Sequence, residues 1–125
     1  MTNPWLAVGA VLAGTGVALG AFGAHGLRSL VSEQALAVFD TAVRYQMYHA
    51  LAILGLALGV GRLPARALNQ TAWAFVLGIV LFSGSLYALV LTGAGWFGAV
   101  TPIGGVLFLA GWIRLAWSAL NRLEP

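Results

Sequence analysis

The fold class that this sequence predicts is all-α: an integral membrane bundle of four helices. Three observations carry it. Of 125 residues, 61% are hydrophobic and 7% are charged, against about 25% charged in a soluble domain. Four stretches of roughly 20 apolar residues are each long enough to cross the hydrocarbon as a helix. The chain also holds 17 glycines, most of them inside those stretches, as suits membrane helices that approach closely. Water cannot be the solvent for so uncharged a surface, so we read residues 1–125 as one transmembrane domain.

The first span, residues 5–24, is "WLAVGAVLAGTGVALGAFGA" and carries no charge. A cleaved signal peptide is its rival. The segment lacks a basic start, and its apolar run exceeds the usual 7–15 or so residues, so a retained span is the better reading. A longer connection, 25–41, follows. Ser32 suits an N-cap with Glu33 in the first turn. From Glu33 there is no Gly or Pro until Gly55. Helix two is therefore expected to run unbroken from about 33 to 61, crossing at 42–61 with its first turns on the outer surface. Leu36, Phe39, Val43 and Met47 form an apolar stripe along it.

Pro64 should stop that helix. The third span is 71–92, with Asn69 as its expected cap. Asn69-Gln70-Thr71 matches a glycosylation sequon, here read as a chance match at a helix start. "TGAGWFGAV" reads as a turn that puts Trp96 and Phe97 at the interface. The fourth span is 101–120, with Thr101 expected as N-cap and Pro102 at the first helical position.

Six arginines face three acids, all scattered. This is no nucleic-acid surface; positive charge beside membrane spans sets topology. Four crossings put both termini and the 62–69 loop on one side with Arg62, Arg66 and Arg122, toward which Arg114 snorkels. Only Arg28 and Arg44 lie on the other. The bias places both termini in the cytoplasm. With no cysteine, disulfides, thiolate metal sites and a cysteine nucleophile are excluded.

The stretch "RYQMYHALAIL", 44–54, sets polar groups at the mouth of an apolar helix. His49 lies roughly 18 Å above the inner end of helix two, and Ser83 and Ser85 stand roughly 18–21 Å above the start of helix three. Tyr87 is a step higher, near Tyr45 and Gln46; His25 ends helix one and Thr101 begins helix four on the same side. These groups are expected to turn inward and meet, because an unpaired polar group in hydrocarbon costs several kcal/mol. Asp40 and Arg44, one turn apart, can pair, as can Tyr45 and His49. Gly9, Gly16, Gly20 and Gly23 read as a helix-packing face, and Gly84, Gly104 and Gly105 take the same role. Gly84 in particular would admit a neighbour's backbone.

Each polar feature has a plain reading and a chemical one. His49 bonded to a serine is structural glue, worth about 0.6 kcal/mol on average. His25 with His49 could hold a haem iron if both lay at one depth, and a metal on two histidines and Asp40 is a weaker reading still. A Ser83 or Ser85 dyad with His49 lacks an acidic partner. No cofactor and no metal is therefore expected. The leading expectation is a non-enzymatic structural or binding protein, with an outer polar pocket for a lipid headgroup or a partner subunit's helix. Its glycine faces would suit a homo-oligomer. The alternative is a small transporter or channel using His49 as its intramembrane ionisable group.

"GAFGAHGL" (20–27), "YQMYHALAIL" (45–54), "LFSGSLYAL" (81–89) and "TPIGGVLFLAGW" (101–112) resemble the YgdD/YwdK family of small bacterial membrane proteins, a domain-of-unknown-function family. The resemblance touches all four spans. It implies a four-helix protein of the bacterial inner membrane and supplies no reaction. Carried over, its signature falls on His25, Tyr45, Gln46, His49, Ser83, Gly84, Ser85, Tyr87, Thr101 and Pro102.

Overall fold

A computed structural model describes residues 3–122. It contains four long helices: α1 (Pro4–Ala24), α2 (Glu33–Leu58), α3 (Ala65–Thr92) and α4 (Phe97–Leu120). A short 3₁₀ turn, Leu27–Ser29, lies between α1 and α2. Extended pairing among the described residues is limited to an isolated bridge between Val60 and Leu63.

The helix boundaries follow local chemistry. Pro4 opens α1 in the first turn, where a missing N–H costs nothing. Ser32 caps α2 by accepting from the Ala35 N–H at 3.1 Å. The N-terminal extension of α2 back to Glu33 is present, uninterrupted because no Gly or Pro breaks it. It ends at Leu58, three residues short of the expected limit, where Gly59 and the left-handed Gly61 (φ +86°) turn the chain.

Two expected caps are corrected. Helix α3 starts directly after Pro64, whose carbonyl accepts from the Leu68 N–H at 3.1 Å. Asn69 therefore sits one turn inside, where its Oδ1 accepts from the Trp5 indole at 2.7 Å. Helix α4 starts at Phe97, a turn before Thr101. Bonds from Gly98 N to Gly95 O and from Ala99 N to Trp96 O wind its entry. Pro102 consequently lies inside the first turns of α4 instead of opening it.

One feature of α3 has no counterpart in the expectations. Residues Ile79–Ser83 form a π-helical segment, closed by the Gly84 N–H bonding to Ile79 O. The helix continues to Thr92 and ends on Gly93 at φ +72°.

The helices pack as two antiparallel hairpins. In the first, Gly9, Gly16, Gly20 and Gly23 of α1 lie against Leu54, Met47, Val43 and Phe39 of α2. In the second, Phe75, Gly78 and Phe82 of α3 oppose Gly111, Phe108 and Gly104 of α4. Both pairings hold a steady register, falling on one helix as it rises on the other. The buried cluster joining the hairpins includes Trp5, Ile53, Leu56, Phe75, Ile79 and Phe108.

Two glycine roles are corrected. A Cβ on Gly84 would meet nothing nearer than 3.9 Å, and Gly105 has only the rim of Phe82 at the same distance. Gly78 and Gly111, not singled out in the sequence, are the close ones. Gly9, Gly16, Gly20 and Gly23 of α1 and Gly104 of α4 are used in packing within the chain.

By length and composition α1, α3 and α4 are apolar enough to cross a membrane. Helix α2 falls below that level because Arg44, Gln46 and His49 interrupt its apolar length. It is also the helix in the middle: α1 packs along one side and α3 along the other, and Phe108 and Trp112 of α4 reach it at His49. A helix shielded in this way can hold polar groups that a lipid-facing one cannot.

Candidate functional site

Along α2, Phe39, Ala42, Gln46, His49, Ile53 and Leu56 are all buried. Their spacing alternates three and four residues, the pattern of a helix seam. Gln46 and His49 occupy core positions in that seam, so the fold must satisfy them internally.

Gln46 does this with three bonds. Its Nε2 donates to Leu12 O at 2.9 Å and to Thr15 Oγ1 at 3.0 Å on α1. Its Oε1 accepts from the Tyr87 hydroxyl of α3 at 2.7 Å. Gly16 leaves room for the amide: a Cβ there would stand 3.5 Å from Nε2. One side chain thus ties three helices.

His49 is held on every side. Its Nδ1 lies 2.7 Å from Tyr45 O, and its Nε2 lies 3.0 Å from the Trp112 indole nitrogen on α4. An indole only donates and a carbonyl only accepts. The partners therefore fix the neutral tautomer with its proton on Nδ1 and Nε2 as acceptor. The ring stacks on Phe108 at 3.6 Å between centroids, inclined 8°, with Phe75 edge-on at 5.1 Å. Both nitrogens are engaged, so neither is presented to a metal, a haem iron or a serine.

The serines go elsewhere. Ser83, at the end of the π segment, donates to Ala42 O of α2 at 2.7 Å. Ser85 points to α4, where its hydroxyl lies 2.6 Å from that of Thr101. Each hydroxyl also has a backbone acceptor one turn back, Phe82 O for Ser85 at 2.9 Å and Phe97 O for Thr101 at 3.4 Å.

The structure divides the expected cluster. It brings together Gln46 with Tyr87, Ser85 with Thr101, and His49 with the Tyr45 backbone, as separate bonds. It does not bring His49 to Ser83 or Ser85, so the serine–histidine dyad does not form. Tyr45 contributes its carbonyl and a ring packed 4.6 Å from Phe82. Asp40 and Arg44 pair at 2.9 Å but are 57% and 65% exposed. His25 is exposed at the end of α1. By the hairpin register His49 sits level with Gly14, about 16 Å down the axis from His25, so the two histidines share no haem. Among the described residues no cluster of metal-binding side chains occurs.

Two participants were missed. Thr15 and Trp112 are lone hydrogen-bonding groups in the apolar runs of α1 and α4, and neither was placed in the cluster from the sequence. The cavity at the end of the bundle where α2 begins is also displaced from the polar cluster. It is a groove of about 370 Å³ between α1 and α2, lined by Gly20, Gly23, Phe39 and Val43 with Glu33 and Asp40.

A family profile described as "Protein of unknown function (DUF423)" matches residues 19–105, a stretch that reaches into all four helices. The chain belongs to this family. Among its relatives is a UPF0382 membrane protein of Staphylococcus aureus, 47% identical over 89% of this chain and 90% of its own length. The Haemophilus influenzae UPF0382 membrane protein is 45% identical over 97% of each chain. YwdK of Bacillus subtilis, also a UPF0382 membrane protein, is 43% identical over 95% of this chain and 98% of its own. No solved structure matches. The family is one of membrane proteins, and none of these names states an activity.

Proposed function

We propose that this protein is a non-enzymatic component of the bacterial inner membrane, a four-crossing scaffold that binds lipid or a membrane partner. In this reading its outer polar residues are internal clamps, not a pocket. The observation that supports it most is the saturation of His49 and Gln46, whose donors and acceptors are matched to partners on other helices or on α2 itself. A transporter that moves protons through His49 would need one ring nitrogen turned to a water path; here Trp112 and Tyr45 take both.

The arginine bias supports termini in the cytoplasm. A C-terminal fluorescent-protein fusion should then be bright, and a C-terminal alkaline phosphatase fusion inactive. The scaffold reading itself is tested in proteoliposomes. His49→Phe should lower thermal stability and leave proton and solute permeability at the level of the unsubstituted protein. A flux that depends on His49 and disappears in the variant would overturn the reading.

A further inference from the structure

Helix α1 leans on α2 along its length and reaches α3 only near Trp5. The other side of that approach is open. A furrow of about 390 Å³ runs between α1 and α3, lined by Val8, Trp73 and Val76 with Pro4, Trp5 and Asn69 at its mouth. Trp5 and Trp73 pack edge to face in its wall, 5.5 Å between ring centroids. From Asn69 to Val76 it descends about 10 Å along α3.

The mouth opens into a second space. A notch of about 840 Å³ lies at the end of the bundle where both termini and the 59–64 turn meet. It shares Pro4, Trp5 and Asn69 with the furrow and adds Asn3, Leu63, Leu68 and Arg122. Its size is that of a small-molecule site. Asn69 Oδ1 accepts from the Trp5 indole, which directs the donor end of the amide away from the indole. A largely apolar notch that carries the Arg122 guanidinium and the Asn69 amide is thus continuous with an apolar slot that enters the bilayer.

Charge selects the occupant. The notch end of the bundle carries Arg62, Arg66, Arg114 and Arg122 and no acid among the described residues; Glu124, the one acid that follows in the sequence, lies outside them and leaves the excess positive. At the opposite end Arg28 and Arg44 are balanced by Glu33 and Asp40. The uncapped start of α3, at Pro64 and Ala65, adds partial positive charge to the same notch.

We propose that notch and furrow together hold one anionic phospholipid, with its phosphate against Arg122 and an acyl chain lying along the furrow against Val8, Val76 and the Trp5–Trp73 pair. This rests on the reading that all four helices cross with both termini on one side, which the reporter fusions test independently. Native mass spectrometry of the full chain in mild detergent, with equimolar phosphatidylglycerol and phosphatidylcholine, tests the site. Phosphatidylglycerol should be retained preferentially. Arg122→Gln should lower that preference about fivefold, while Arg44→Gln at the far end leaves it unchanged. Val8→Trp, which fills the furrow, should abolish retention of both lipids.

Equal retention of the two lipids would overturn the proposal. So would a Val8→Trp variant that melts at the temperature of the unsubstituted protein and still keeps phosphatidylglycerol. Displacement of phosphatidylglycerol by an equal concentration of inorganic phosphate would remove the acyl chain from the account and overturn it as well. If Val8→Trp does not fold, the pair of arginine variants decides the matter alone.

Discussion

The α1–α2 hairpin and the α3–α4 hairpin use one device, a glycine opposite a large side chain, with different counterparts. On α2 the groups facing glycine are mixed: the flexible Met47 at Gly16, Val43 at ordinary contact distance from Gly20, the Leu54 side chain and backbone nitrogen at Gly9, and the Phe39 ring at Gly23. Between α3 and α4 they are rigid. Phe75 faces Gly111, Phe108 faces Gly78, and Gly104 lies against the backbone of Phe82 itself. At Gly16 and Gly20 the first interface can yield to an added methyl; at Gly104 the second cannot. Rigidity also sits where the π segment lies, because the Phe82 backbone that Gly104 admits belongs to that segment. The tighter hairpin is therefore the frame, and α1 with α2 is the part attached to it.

Gly104→Ala should show the largest effect. Its Cβ would strike the Phe82 nitrogen and Cα, which no rotamer change relieves, so α3 and α4 must separate. A loss of more than about 3 kcal/mol is expected, at or beyond the upper end for overpacking. Thermal denaturation in detergent measures it. A variant that melts within a degree or two of the unsubstituted protein would erase the distinction between the hairpins.

The joint between the hairpins comes next. Gln46→Leu leaves the Tyr87 hydroxyl without its acceptor, whereas Thr15 keeps bonds to Val11 O and Leu12 O. The cost should be about 1–2 kcal/mol. Removing the orphan in Gln46→Leu/Tyr87→Phe should recover part of it. If the double substitution costs the full sum of the singles, the hydrogen bond is not what joins α1 and α2 to the frame.

Gly16→Ala should cost less, about 1 kcal/mol. The obstacle is the Met47 sulfur, 2.5 Å from the new Cβ, at the end of an unbranched side chain that finds other rotamers. Comparing this loss with that of Gly104→Ala measures the difference in rigidity directly. Equal losses would mean that α1 is held as firmly as α4.

Much of the fold was legible in the sequence because it depends on runs of residues. The all-α membrane class follows from apolar length and sparse charge. The extension of α2 to Glu33 follows from the lack of Gly or Pro before Gly55. The site was less legible, for a geometric reason. Counting residues from a helix end yields height, not direction. Ser83 and Ser85 share a height with His49, but two residues on a helix differ by about 200° around the axis, so one serine meets α2 and the other α4. The π segment adds to that divergence, and "IVLFS" carries no residue that announces it. The seam at Phe39, Ala42, Gln46, His49 and Ile53 was available, and it alone would have placed Gln46 and His49 inside.

The smallest effect expected is also the sharpest control on the comparison. Gly84 and Gly104 both stand in motifs that look like packing glycines, and the chain gives no local sign that they differ. In the structure Gly84 has ordinary helical dihedrals, φ −60° and ψ −42°, and a Cβ on it would find open space to 3.9 Å. Only helix propensity then remains. Alanine is favoured over glycine by about 0.8–1.0 kcal/mol in a helix interior in water, and less where the alternative state is also helical, as it is in detergent. Gly84→Ala should therefore leave the melting temperature unchanged or raise it by a few degrees. A marked fall would mean that a neighbouring helix approaches α3 at Gly84, and the π segment would then be a point of contact on two sides instead of one.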